Sequence, residues 1–334
     1  MKKWILVLMV VSLSMLGAFG GGSSESVGPS GEKTFNIDLA TAYAADGPVG
    51  IALEKFVADV KKASDGTLNI HLFTDGTIGN PKDNYLSLAN GDLDMAVTGL
   101  EGLDLYAPEF TFLDSPFFIN SLEHQEALLA SDIGEALKNR YRENGIETLA
   151  WHNRDIRVLA SNRKVVKPSD VVGLKLRLPG MQVYVDGWGY LKVSTTTVAM
   201  GELYTALQTR VAEACEGGYE QMTTLKVYEV QKYIADSNHV FEFVGLFINT
   251  KLYAKLSERQ REILRDEGVK AMNYANELGQ NMTASFKQEC LDKGMELVDI
   301  DRNAFRAAML PYYETMFKTK WTLYPYEEIM KYAK

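Results

Sequence analysis

Hydrophobic and polar positions alternate from the start of the folded part of the chain. In "FNIDLA", Phe35, Ile37 and Leu39 fall on one face, the period of a half-buried strand. "VGIALEKFVADVKKAS" carries Ile51, Leu53, Phe56, Val57 and Val60 as a helical stripe, with Pro48 placed in its first turn and Asp65-Gly66 closing it. "LNIHLF" returns to the strand period at Leu68, Ile70 and Leu72, and "YLSLANGDLDMAVTG" reads as a short helix, a turn at Asn90-Gly91 and a third strand. Strand, helix, strand, helix, strand implies a parallel sheet covered by helices. From Ser121 the pattern predicts a helix through "SLEHQEALLASDIGEALKNRYRENG", a strand "IETLAW", and then a second α/β unit. In that unit "KPSDVVGLKLRLPG" is a turn and strand, "MQVYVDGWGYL" and "GELYTALQTRVAEA" are helices, and "HVFEFVGLFINT" is a long apolar strand. One long helical pattern, opened by Ser257-Glu258, runs to Ala284. Two α/β units joined by strands that can bend predict a cleft between them.

The amino terminus sets the compartment. Met1-Lys2-Lys3, an apolar run from Trp4 to Leu16 and small residues at Ala18-Phe19-Gly20 form a secretory signal over residues 1–20, which predicts periplasmic localisation after cleavage. No cysteine follows it, so a lipid anchor is not expected, and no later stretch approaches the roughly 20 apolar residues of a membrane-crossing helix. Residues 21–33, "GGSSESVGPSGEK", have almost nothing to bury and read as a flexible tether. About 300 residues then remain, enough for two domains.

Loss of Lys2 and Lys3 with the signal moves the formal net charge from −9 to −11, which argues against nucleic acid and anionic membrane surfaces as partners. An anionic small molecule stays admissible, because local field outweighs net charge inside a cleft. Cys215 and Cys290 are the only thiols, too few for a disulfide framework, and are read as two buried free thiols rather than a bridge. The four histidines, His71, His124, His152 and His239, make no HxxH or HExxH pair, and neither GxSxG, GxGxxG nor Walker spacing occurs. No catalytic residue, metal site or cofactor is therefore assigned.

Two arginines stand beside apolar strands. Arg157 precedes the "VLA" of "NRDIRVLASN"; in "GLKLRLPG", Leu174, Leu176 and Leu178 take one face, and Lys175 and Arg177 the other. Either that second face is solvated and its cations snorkel, or the strand ends at the cleft and Arg177 points into it. A planar guanidinium there would match a carboxylate with two charge-assisted hydrogen bonds. Periodicity does not choose between the two. Tyr43 and Asp46, in the turn before the first helix, belong at the cleft edge or serve as a turn tyrosine and a helix cap. Thr98, Glu101 and Trp151 end strands aimed at the cleft, with Asn153 close by.

Several segments together resemble the DctP-type extracytoplasmic solute receptors of tripartite ATP-independent periplasmic (TRAP) transporters. They are "FTDGTIGNPKDN" (73–84), "GDLDMAVTG" (91–99), "YAPEFTFLDSPFFI" (106–119), "VVGLKLRLPGMQVYVD" (171–186), "GELYTALQTRVAEACEGG" (201–218) and "KVYEVQKYI" (226–234). The resemblance runs from about Phe35 to about Tyr313 and implies capture of a small organic acid between two lobes, followed by delivery to a membrane permease. It also implies that Arg177 forms the salt bridge to the ligand carboxylate and that Arg157 is a second site arginine. Glu216 is kept, whereas the asparagine that commonly bonds ligand in this family falls on Gly217. One amide is lost, and Met181, Met200 and Tyr219, with Trp188, are placed to supply apolar surface for a bulkier or more apolar acid than a C4-dicarboxylate.

The expected architecture is thus α/β: a two-lobed periplasmic binding protein fold with an interlobe ligand cleft and a long C-terminal helix. Residues 34–154 and 243–282 form lobe I; residues 155–242 and 283–334 form lobe II. The chain is expected to act as a monomer, without cofactor, closing on ligand by hinge motion. A receptor for an ABC importer or a sensor is the alternative, and a secreted enzyme using Glu216 or Asp186 as a base is a more distant one.

Overall fold

The computed structural model describes residues 31–99 and 101–333. The predicted signal and all but the last three residues of the predicted tether lie outside the described residues. The strands are β1 (Phe35–Thr41), β2 (Leu68–Phe73), β3 (Met95–Thr98), β4 (Ile146–Ser161), β5 (Lys175–Leu178), β6 (Ser194–Thr197), β7 (Ala214–Gly217), β8 (Tyr233–Asn249) and β9 (Glu296–Val298). Their order is β2-β1-β3-β8-β4-β7-β5-β6, with β9 beside β8. β1 lies parallel to β2 and β3, and β5 parallel to β6 and β7. Between these two parallel groups run β4 and β8, antiparallel to each other and of 16 and 17 residues. These two long strands belong to both halves of the molecule, which gives the predicted two-unit α/β layout.

The helix Pro48–Ala63 starts where Pro48 predicts, and Asp65 and Gly66 after it take positive φ, which ends the helical path. The long helix Glu258–Asp292 is opened by a reciprocal Ser257–Gln260 capping box. Leu264, Gly268, Ala271, Met272, Ala275, Gly279 and Cys290 form its buried side. It packs against the helix Pro48–Ala63 at one end, β4 in the middle and the helix Tyr219–Thr224 further on, so it bridges the halves. A side chain at Gly268 would come within 2.9 Å of Leu246 Cδ2, so this glycine lets the helix approach β8.

Each half has its own apolar cluster, one built around Ile37, Leu53, Phe56, Leu246 and Met272, the other around Val158, Leu207, Met222, Ile234 and Cys290. A third and larger cluster joins Phe110–Phe118 to Trp188, Phe305, Tyr313 and Trp321. Cys215 and Cys290 are both buried and unbridged.

Three expectations need correction. The helix predicted from Ser121 is two, Leu122–Leu129 and Asp132–Glu143, because the Ser131 hydroxyl accepts from Ile133 N and starts a second helix. "GELYTALQTRVAEA" is α-helical only over Leu203–Gln208, after a short 3-10 turn at Met200–Glu202. Arg210 then adopts a φ of 61°, and Ala214 and Cys215 enter β7, where pairing with β4 and β5 overrides helical propensity. Finally, "IETLAW" and "VLA" are parts of one strand, since pairing with β8 carries the backbone through the polar interruption at Asn153–Asp155.

Candidate functional site

The carboxyl ends of the parallel strands converge on one cavity of about 540 Å³, as expected for open α/β sheets. Tyr43 follows β1, Glu101 follows β3, Pro179, Gly180 and Met181 follow β5, Val198–Met200 follow β6 and Gln221 follows β7. Arg154 and Arg157 from β4 and Glu242 from β8 complete the wall. A smaller cavity of about 280 Å³, reaching His152 and Asp75, shares Tyr43, Arg154, Met200 and Gln221 with it.

Arg177 answers the question raised by "GLKLRLPG". Lys175 at the start of β5 is exposed, but Arg177, two residues further along the same face, is only 2 % exposed. Its Nε donates to the Val198 carbonyl at 2.8 Å, which fixes the plane of the guanidinium. Among the described residues no carboxylate lies within ion-pair distance of it, and burial lowers its pKa, opposed in part by the field of Glu216.

Arg157 differs. Its Nε and Nη2 donate to Glu216 at 2.6 and 2.9 Å, its Nη1 donates to Glu242 at 2.8 Å, and its plane lies 5.5 Å from the Tyr184 ring centroid. Arg154 donates to the other Glu242 oxygen at 2.9 Å, approaches Glu220 at 3.6 Å and covers the Tyr43 ring at 4.6 Å. Burial pushes the Glu216 carboxyl up, but Arg157 and His239 outweigh it and hold the group at about 2. Glu242 is likewise held below the carboxylate range by Arg154 and Arg157 against its burial. The Glu101 carboxyl, by contrast, is raised by burial, with Glu242 adding to the effect. These arginines and glutamates neutralise one another, and Arg177 is left with its charge unmatched.

Of the residues singled out from sequence, Arg177, Arg157, Tyr43, Glu101, Met181 and Met200 line the large cavity. Glu216 and Gly217 lie behind it, where Glu216 is fully buried and braces Arg157. Thr98 is buried and donates to the Pro81 carbonyl, and the buried Tyr219 donates its hydroxyl to Asp236. Trp151 and Asn153 line a different cavity against the long helix, where Asn153 donates to Glu126. Asp46 is exposed, and the residue capping the following helix is Gly47. No group of His, Cys, Asp and Glu among the described residues is arranged to hold a metal ion.

The sequence profile of the DctP family, bacterial extracellular solute-binding protein family 7, matches residues 39–320. The chain belongs to this family. It is 30% identical to a solute-binding protein of Roseobacter denitrificans over 77% of this chain and 79% of the relative. It is 28% identical to the 2,3-diketo-L-gulonate-binding periplasmic protein of Escherichia coli over 78% of this chain and 80% of that one. A crystal structure of a TRAP periplasmic solute-binding protein from Roseobacter denitrificans with bound L-galactonate superposes with a TM-score of 0.74 at 28% identity, covering 84% of this chain and 98% of that one. The chain is therefore a TRAP-type solute-binding receptor with the two-lobed fold of that family, whose members are solute-binding proteins rather than enzymes. This favours the TRAP reading over an ABC importer receptor.

Sequence reading of the receptor missed Arg154, Glu242 and Gln221. Three residues apart on a regular strand, Arg154 and Arg157 would face opposite ways. The register shifts between Asn153 and Asp155, so both arginines reach Glu242. Glu242 did carry a signal, being the one acid inside the apolar run "HVFEFVGLFINT". Gln221 carried none.

Proposed function

We propose that this receptor captures a small organic acid in the periplasm, holds its carboxylate on Arg177, and delivers it to the membrane subunits of a TRAP-type secondary transporter. The observation that carries the reading is a buried, positionally fixed guanidinium that lines the cavity without an acid partner. Burying an unmatched charge is costly, and a ligand carboxylate removes that cost. Relatives that bind L-galactonate and 2,3-diketo-L-gulonate, both carboxylates, support it.

In this reading Arg157 is a brace. Fixed by Glu216 and Glu242, it stiffens the cavity floor and adds positive field without giving up its own partners. The lobes divide where β4 and β8 cross, near residues 155 and 243, and ligand contact from both sides favours a closed state. Arg154 approaching Glu220 at 3.6 Å, and Gln182 N donating to Asp104 at 3.3 Å, are contacts of the kind that closure would make. The protein binds and releases its cargo unchanged, as a monomer.

Mass spectrometry of the small molecules that co-purify with the mature protein, followed by calorimetric titration of the acid found, tests this. A co-purifying acid that binds wild type and not an Arg177→Ala variant supports the reading. Binding of neutral solutes alone, or turnover of the bound acid, overturns it.

A further inference from the structure

Position 217 has no side chain, yet the space above it is filled. A Cβ built on Gly217 would stand 2.7 Å from Gln221 Cδ and Oε1 and 2.8 Å from its Nε2. Gln221 lies in the helix Tyr219–Thr224, which begins directly after β7, and its carboxamide folds back over the strand. There it lines both the large cavity and the smaller one. Its one hydrogen bond among the described residues, from Nε2 to the Glu216 carbonyl, is long at 3.5 Å, which leaves its oxygen and most of its donor capacity unused. The large cavity's other side-chain amide, Asn80, is spent on a helix cap: its Oδ1 accepts from Asp83 N at 3.0 Å and its Nδ2 donates to Asp83 Oδ2 at 2.6 Å.

Charge narrows what such an amide meets. The cations lining the large cavity are Lys82, Arg154, Arg157 and Arg177. Arg154 and Arg157 are matched by Glu216, Glu220 and Glu242, Lys82 is exposed at the rim, and Arg177 alone is buried and unmatched. A second carboxylate on the ligand would find no free buried cation and would face Glu101 and Glu242. Hydroxyl groups fit better, because they donate to carboxylates and both donate to and accept from an amide. We propose that Gln221 is a specificity-determining residue that reads a hydroxyl group of a hydroxylated monocarboxylate held by Arg177, and that the site discriminates against the matching dicarboxylate. This rests on the carboxylate reading above and assigns the chemistry of the rest of the ligand.

The test is calorimetric titration of the mature protein with aldonates of four to six carbons (erythronate, galactonate, gluconate), the aldarates of the same lengths, and the unhydroxylated monocarboxylates. At least one aldonate is expected to bind about 30-fold or more tighter than its aldarate. In Gln221→Leu, which keeps the volume and removes the amide, that aldonate's advantage over the unhydroxylated acid should shrink by about tenfold or more, while Tm stays near that of wild type. The proposal is overturned if no aldonate binds, if the aldarate binds as tightly, or if Gln221→Leu discriminates as wild type does. Arg177→Met, run in parallel, separates the two readings. If it retains aldonate affinity, the carboxylate anchor has failed; if it abolishes affinity while Gln221→Leu changes nothing, only the role of Gln221 has failed.

Discussion

Replacing Arg177 by methionine keeps an unbranched apolar stem reaching about as far as Nε and removes the guanidinium charge, and two opposite effects should follow. In wild type, the Nε bond to Val198 orients the fork and leaves the two terminal nitrogens for the ligand. Two charge-assisted hydrogen bonds at roughly 1.5–3 kcal/mol each amount to about 3–6 kcal/mol of affinity, or about a hundredfold to ten-thousandfold in Kd. Lysine at this position restores the charge without the fork or the Val198 bond, so Arg177→Lys should recover only part. Without ligand the sign reverses: Arg177 is a buried cation with no acid partner, and its removal should raise the Tm of the empty protein. Calorimetric titration with the co-purifying acid gives the first quantity, and a thermal melt of protein stripped of ligand gives the second. Unchanged Kd in Arg177→Met would refute the anchor; a lower Tm for the empty variant would refute the claim that the charge is uncompensated.

Four further predictions concern the surrounding framework. Glu216→Ala strands Arg157 and His239 in the interior and should destabilise the fold by about 3–5 kcal/mol in denaturant unfolding, with a loss below about 1 kcal/mol counting against the brace. Because Glu216 is held at about 2 in the fold, the stability it contributes is present above its ordinary carboxylate value near 4.5 and is lost as pH falls from there through about 2, so a Tm profile unchanged down to pH 3 would contradict it. Burial raises the Asp155 carboxyl to about 7, opposed by Arg154, so its ionisation destabilises the fold as pH rises toward 7; Asp155→Asn should raise Tm at pH 8 and lose that advantage by pH 4. A side chain at Gly218 would stand 1.4 Å from Asp155 Oδ2; Gly218→Ala should cost about 1–3 kcal/mol, and Asp155→Ala in the same chain should recover part of it, whereas additive losses would show that the two residues do not collide.

The α/β alternation, the parallel groups, the capped long helix and the strand that carries Arg177 were legible in the chain alone, because each is written in local periodicity and capping chemistry. Likeness of ordered segments to a receptor family supplied the two-lobed layout, which the structure shares. The difference between Arg177 and Arg157 was decided only by tertiary structure. Both are arginines beside apolar strands, but Glu216 reaches Arg157 from β7 and Glu242 reaches it from β8, across 59 and 85 positions of chain. Arg154 joins them through a bulge that no hydrophobic pattern records, and Gln221 enters the cavity because a glycine four residues earlier leaves room for it. Local pattern fixes which way a side chain leaves the backbone; whether its charge is matched depends on which distant strands the fold brings beside it.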